Sequence, residues 1–531
     1  MTPLREQESC LTPERYLDIV CEHLPVVDRA ISNYGTKPLA AYLEQFTQQV
    51  PPAFQPRNDL FDVISGYTSQ LLGRSVAERL VYDLAASPVV LSANHHGIDS
   101  FSHSIQGNLL FSLRSAAACR CASTVPVFSF GNVPLNNATY PRGLLIYHIN
   151  ADKMADMPLR LPVFPDRDKR KMVCAAPAFD PAMLDRAGRR LDRLIRDKQI
   201  SSTIYTPATD ILQKYCATPA VAALNNYSQQ AVLVNNRIWK RLFCERITPP
   251  ELIYIESEKI VARLLEQDLQ NTESLPWAVM FDPELRQRVI SELNGVNGCW
   301  ELKGLCRRSD KNDCKTASNP PATKAGTLFF WGIDHCGRRI PFYLASNGAN
   351  SAVLQGIDDR GRQWELPYSP EKIIGALQKN ILIPSLFTCF LTLSFARGVI
   401  CAGGYFQGEY LPSMQQGIVS ALEKTAGYHD VAAVVGAIPS GRYLSGMIAV
   451  MTRSRENLLI PSGPLEIIAG GGLTLKDIER MRSMSLQDAH LAGLFETLPD
   501  AVFPENCLPP GWKMQLAADC YQRLREKVVL K

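Results

Sequence analysis

The chain has 531 residues, of which 46% are hydrophobic and 20% charged, and its 56 basic and 52 acidic side chains leave a net charge of +4. This is the composition of an ordinary soluble globular protein with room for roughly two to four domains, and the near balance of charge gives no reason to expect nucleic acid as a partner. The 15 cysteines, odd in number and set in apolar contexts, fit reduced and buried thiols rather than a disulfide framework.

Residues 1–30 carry Glu6, Glu8, Glu14, Asp18 and Glu22 and no apolar core, so no secretory signal is expected and the chain is assigned to the cytoplasm. The longest apolar run, 381–396, contains Pro384, Ser385, Thr388, Thr392 and Ser394 and falls short of the roughly 20 residues that a membrane span requires. It reads as a buried core helix.

Thr12-Pro13-Glu14 is a helix start, with a capping hydroxyl, proline at the first helical position and an acid in the first turn. Tyr16, Ile19, Val20 and Leu24 then mark one apolar face. Further helical patterns over 38–46 and 60–84 complete a helical lead-in, residues 1–84. Val89-Val90-Leu91 reads as a short buried strand, and Asn94-His95-His96-Gly97 as the turn leaving its carboxyl end. A helix over 105–113, a second buried strand over 125–130 and a third apolar run over 143–148 follow. That succession is the pattern of an α/β layer, so residues 85–306 are assigned to an α/β unit whose later part is helical. Its clearest helices are 180–199, with an arginine-rich outer face, and 257–269.

Residues 307–327 are almost free of large apolar side chains and read as an exposed linker or long loop. A small repeat follows, Gly332-Ile333-Asp334-His335-Cys336-Gly337-Arg338 and Gly356-Ile357-Asp358-Asp359-Arg360-Gly361-Arg362. An aspartate followed three residues later by glycine suits a hairpin turn ending at positive φ, so residues 328–370 are expected to hold a β-meander with both motifs at its tips. Residues 371–531 return to α/β structure. The run 431–438 reads as a buried strand, and 465–469 as another that leads through Gly470-Gly471-Gly472 to Thr474, the cap of a helix. The triple glycine resembles the phosphate-gripping turn of (β/α)-barrel enzymes, but without the other repeating units a structural tight turn is expected. The fold class expected is mixed α/β.

Chemistry concentrates after the first strand, where three of the chain's eight histidines fall within nine residues together with an aspartate. If a helix begins near Gly97, Asp99 and His103 share one face, with His95 or His96 a turn earlier. His95, His96, Asp99 and His103 then have three readings. They supply ligands to one divalent metal, zinc, iron or manganese, with an open coordination position. They form an acid/base pair in which Asp99 fixes a histidine tautomer. Or they are local hydrogen-bonding groups at a helix entrance. Nearby Asn94 and the basic residues Arg167, Lys169 and Arg170 are candidates for gripping an anionic substrate. The spacing of Cys299, Cys306, Cys314 and Cys336 matches no common zinc site.

The segment also resembles the first motif of glycerolipid acyltransferases. Asn94-His95 and Asp99 stand for that motif, although three residues separate His95 from Asp99 where the family has four. Phe164-Pro165 with Arg167 stands for the family's later phosphate-binding motif, although the acid and glycine that follow Phe-Pro there are replaced by Asp166 and Arg167. The resemblance implies acyl transfer to a phosphate-bearing acceptor. The function expected from the sequence is an enzyme acting on a small anionic metabolite by hydrolysis or group transfer. Acyl transfer and a non-catalytic binding or assembly role are its alternatives. Histidines buried in separate packing environments would favour the binding or assembly role.

Overall fold

The computed structural model describes residues 11–47, 50–114, 122–148, 157–306, 325–346, 352–454, 456–502 and 508–531. It is a mixed α/β fold built on five parallel strands: β1 (Val89–Leu91), β2 (Thr124–Ser129), β5 (Glu251–Glu256), β11 (Ile400–Gly404) and β12 (Tyr443–Ser445). From one edge the order is β12-β11-β1-β2-β5. The chain starts in the middle, steps outward through β2 to β5, then returns to the other side of β1 to lay down β11 and β12. Strand order therefore reverses between β1 and β11, the point at which open parallel sheets form a crevice outside their carboxyl ends.

The strands are continuous apolar runs because both faces of the sheet are covered. Val89, Leu91, Val125, Val127 and Ile400 point into one core with the helices Ser102–Ser112 and Tyr227–Arg241. Val90, Phe128, Ile253, Ile255 and Cys401 point into a second core with Asn58–Leu72, Ser257–Asp268 and Tyr405–Glu423. The helical lead-in is present, and Thr12 caps its first helix, Pro13–His23. The helix Pro181–Arg196 buries Met183, Leu184, Ala187 and Leu191 and is capped by Asp180.

A two-stranded ribbon, β3 (Gly143–Ile146) with β4 (Leu159–Pro162), stands beside the main sheet. The meander forms as expected. Strands β6 (Phe330–Ile333), β7 (Arg339–Ser346), β8 (Ala352–Ile357) and β9 (Gln363–Pro367) run antiparallel in sequence, with β10 (Leu382–Pro384) added beside β6. The two repeat motifs are its tips and have one geometry. Asp334 Oδ1 accepts from the backbone of Cys336 and Arg338, and Asp358 Oδ1 from that of Arg360 and Arg362, while Gly337 and Gly361 sit at φ 76° and 77°. The C-terminal portion adds β13 (Val450–Arg453), β14 (Leu459–Pro461) and β15 (Val529–Leu530).

Several elements differ from the sequence expectation. The run 431–438 is the helix His429–Gly436, whose Val431, Ala432 and Val435 pack on Tyr405–Glu423 at helical spacing. The run 465–469 is the helix Pro464–Ala469, so the triple glycine joins two helices. The run 381–396 opens as β10 and becomes helical only from Leu386, where Ser385 caps it. The helix after β1 starts at Ser102 rather than near Gly97, so Asp99 and His103 do not share a helix face. The expected linker lies almost wholly outside the described residues. Among the described residues no helix is long and apolar enough to cross a membrane.

Candidate active site

The turn after β1 is built around Gly97. At φ 132° it takes a conformation that side chains avoid, and a Cβ there would lie 2.5 Å from Pro141 Cβ. The helix Tyr227–Arg241 holds this turn. Tyr227 receives the Ile98 N–H at 2.8 Å, and Asn235 bonds both the Gly97 carbonyl (2.8 Å) and the Asp99 N–H (3.0 Å).

Each candidate side chain then goes its own way. His95 is half-buried, its Nδ1 3.1 Å from Thr139 Oγ1, and loss of solvent pushes its pKa down to about 4. His96 is fully buried between Ser129 Oγ (2.7 Å from Nδ1) and Ser228, whose Oγ lies 2.9 Å from Nε2; burial lowers its pKa. Asp99 accepts from Tyr254 at 2.5 Å and Asn94 at 3.3 Å on one oxygen, and from the Phe101 N–H at 3.1 Å on the other. Burial raises its pKa to about 6 against these bonds. His103 lies 3.5 Å from Glu496 on a helix far along the chain.

His95 and Asp99 are not hydrogen-bonded partners, unlike the pair in the acid/base reading. No pair is formed by Asp99 with any of the three histidines. Among the described residues no group of three or more His, Cys, Asp or Glu side chains is placed to hold a metal ion. His96 and His103 are buried in separate packing environments, and His95 faces a third.

Asn94 is locked inside, donating to Tyr254 (2.7 Å) and Asn108 (3.1 Å). Phe164 packs its ring 4.7 Å from that of Tyr227. Arg167 is exposed beside Asp168, Lys169 is exposed, and Arg170 is bonded to Asp359 at a meander tip. The basic turn thus clamps the meander onto the α/β unit, and it is the next residue, Lys171, that reaches a cavity.

That cavity, about 820 Å³, opens at the carboxyl end of β5. Its walls are the helix Ser257–Asp268, the segment after Lys171 and the meander tip carrying His335 and Cys336. Glu256 and Glu258 line it, only 5% and 2% exposed. Glu258 accepts from the N–H groups of Gly131 (2.9 Å) and Asn132 (3.0 Å), the turn leaving β2. Burial first, and the Glu256 charge second, push its pKa up to about 8. Glu256 accepts from Ser228, the residue that also touches His96.

With His96 neutral and its proton on Nε2, His96 donates to Ser228 and Ser228 Oγ–H to Glu256, while Ser129 Oγ lies 2.7 Å from His96 Nδ1 and 3.2 Å from the Ile255 carbonyl. A hydrogen-bonded path therefore leads from the sheet interior to a carboxylate on the cavity wall. Lys259 brings positive charge to the same cavity, as do Lys171 and Arg263, which are ion-paired with Asp168 and Glu266. Sequence reasoning passed over Ser228, Glu256 and Glu258. The signal was available, since Glu256-Ser257-Glu258 follows a buried apolar strand just as the histidine stretch follows β1.

The chain matches no protein-family model, no curated protein and no solved structure.

Proposed function

We propose that the protein is an enzyme that moves a proton on a small anionic substrate bound in the cavity at the carboxyl end of β5. The observation that carries this reading is the pair of buried carboxyls on the cavity wall, held in unlike environments. Glu258, kept protonated at neutral pH, is the acid. Glu256 is the base, its carboxylate oriented by the Ser228 hydroxyl that donates to it. Two titratable groups whose surroundings differ in this way divide acid and base roles between them. Lys259 attracts the anion. The test is to incubate the full chain with pooled organic acids and phosphate esters in heavy water and follow deuterium uptake by NMR. Uptake that disappears in Glu256→Gln and Glu258→Gln, with the fold intact, supports the reading. No uptake by the unaltered protein, or uptake that survives both substitutions, refutes it.

A non-catalytic binding role is the second reading. The dispersal of His95, His96 and His103 favours it, as does the bonding of Glu258 to two backbone N–H groups, which staples β5's helix to the β2 turn. It is distinguished by the same experiment, as saturable binding in the cavity without exchange.

A further inference from the structure

A second cleft, of about 660 Å³, opens where the helix Tyr227–Arg241 ends, and it shares no lining residue with the cavity at β5. Its construction depends on the triple glycine. Phe243 bridges Leu473, with Leu473 N donating to Leu242 O (2.7 Å) and Cys244 N to Leu473 O (2.9 Å). Gly472, at φ 75°, lies so close that a Cβ would stand 2.9 Å from the Phe243 carbonyl carbon. Gly471, at φ 84°, faces open space instead. The turn thereby brings the segment after Arg241 against the start of the helix Leu475–Ser483.

Arg241, Arg246 and Lys476 line this cleft, and among the described residues none of the three has an ion-pair or hydrogen-bond partner. Glu245 is the one acid in its lining. Beside the cations lie Phe243, which is buried, and the partly buried Ile247 and Ile468. All three are exposed at the cleft, so their mutual repulsion is partly screened by solvent, and an anion that enters reduces it further. Guanidinium forks suit phosphate oxygens, and three cations suit a dianion better than a single negative charge.

We propose that this cleft binds an organic phosphate monoester, its phosphoryl group held by Arg241, Arg246 and Lys476 and its apolar part lying on Phe243, Ile247 and Ile468. The site is separate from the proposed proton-transfer cavity and stands or falls independently of it. The experiment is calorimetric titration of the full chain with phenyl phosphate and with inorganic phosphate. Phenyl phosphate is expected to bind more tightly of the two. In Arg246→Gln/Lys476→Gln its affinity falls at least about tenfold, roughly 1.4 kcal/mol, with unchanged circular dichroism. Lys372→Gln, exposed on the helix Pro370–Gln378 outside both cavities, leaves it as it was. Vesicles containing phosphatidic acid separate two sources of the group: capture lost in the double variant assigns the site to a lipid headgroup, and no capture assigns it to a soluble ester. The proposal is overturned if phenyl phosphate does not bind, if its affinity survives the double substitution, or if Lys372→Gln weakens it as much.

Discussion

The hydroxyl of Ser228 stands 2.9 Å from Nε2 of His96, although 132 residues separate the two in sequence. The same hydroxyl donates to Glu256, so one small side chain joins the turn after β1 to the end of β5. Ser228→Ala removes a buried donor from a carboxylate and is expected to cost about 1–3 kcal/mol in urea unfolding. In ring ¹⁵N spectra His96 keeps its Nε2 proton, because the Ser228 carbonyl remains at 3.1 Å. A variant as stable as the parent would show that the contact carries no weight.

Glu258 gives the fold a pH dependence of definite sign. Its pKa is raised from 4.5 to about 8 in the folded state, so folding takes up a proton between those values. Its stabilising contribution is complete below pH about 4.5 and is lost as pH rises through about 8. Glu258→Gln should flatten the fall in stability over that window, measured as the difference between parent and variant unfolding curves at each pH. Parallel curves would contradict the assignment.

Arg397 is fully buried and bonded to both Asp59 and Asp268, tying the lead-in helix Asn58–Leu72 to Ser257–Asp268. Arg397→Met leaves two carboxylates facing each other without their cation. A loss of about 3–5 kcal/mol is expected, since breaking one side of a buried pair costs far more than the pair contributes. Adding Asp268→Asn should recover part of that loss in a double-mutant cycle.

Gly97→Ala combines a φ of 132° with a 2.5 Å approach to Pro141 Cβ. Backbone strain alone accounts for about 1–3 kcal/mol, and the clash adds to it. Because Asn235 and Tyr227 hold this turn, amide exchange at Ile98 and Asp99 should speed up beyond the global change in stability.

The meander was legible because its signal is local: an aspartate and a glycine three residues on settle each tip, and Asp334 and Asp358 do the same job twice. The strand β1 and the turn leaving it were legible for the same reason. The partners of the turn's side chains were not, since Thr139, Ser129, Ser228 and Glu496 reach His95, His96 and His103 from distant parts of the chain. Short apolar runs misled where periodicity cannot tell a buried strand from a buried helix turn, as at Val431 and Leu465. Glu256 and Glu258 were passed over because acids beginning a helix look like ordinary first-turn charges.

The return of the chain to the middle of the sheet also governs how it is made. Ser92 and Ala402, hydrogen-bonded neighbours, are 310 residues apart. During synthesis β1, β2 and β5 emerge and pair long before β11 exists, leaving one side of β1 as an open row of backbone donors and acceptors. That half-sheet waits through the whole meander for its partner, so slow folding is expected, and the nascent chain has an edge able to capture another copy. Truncation anywhere between β5 and β11 should therefore yield aggregates rather than a soluble fragment, an outcome that expression of residues 11–306 would reveal directly.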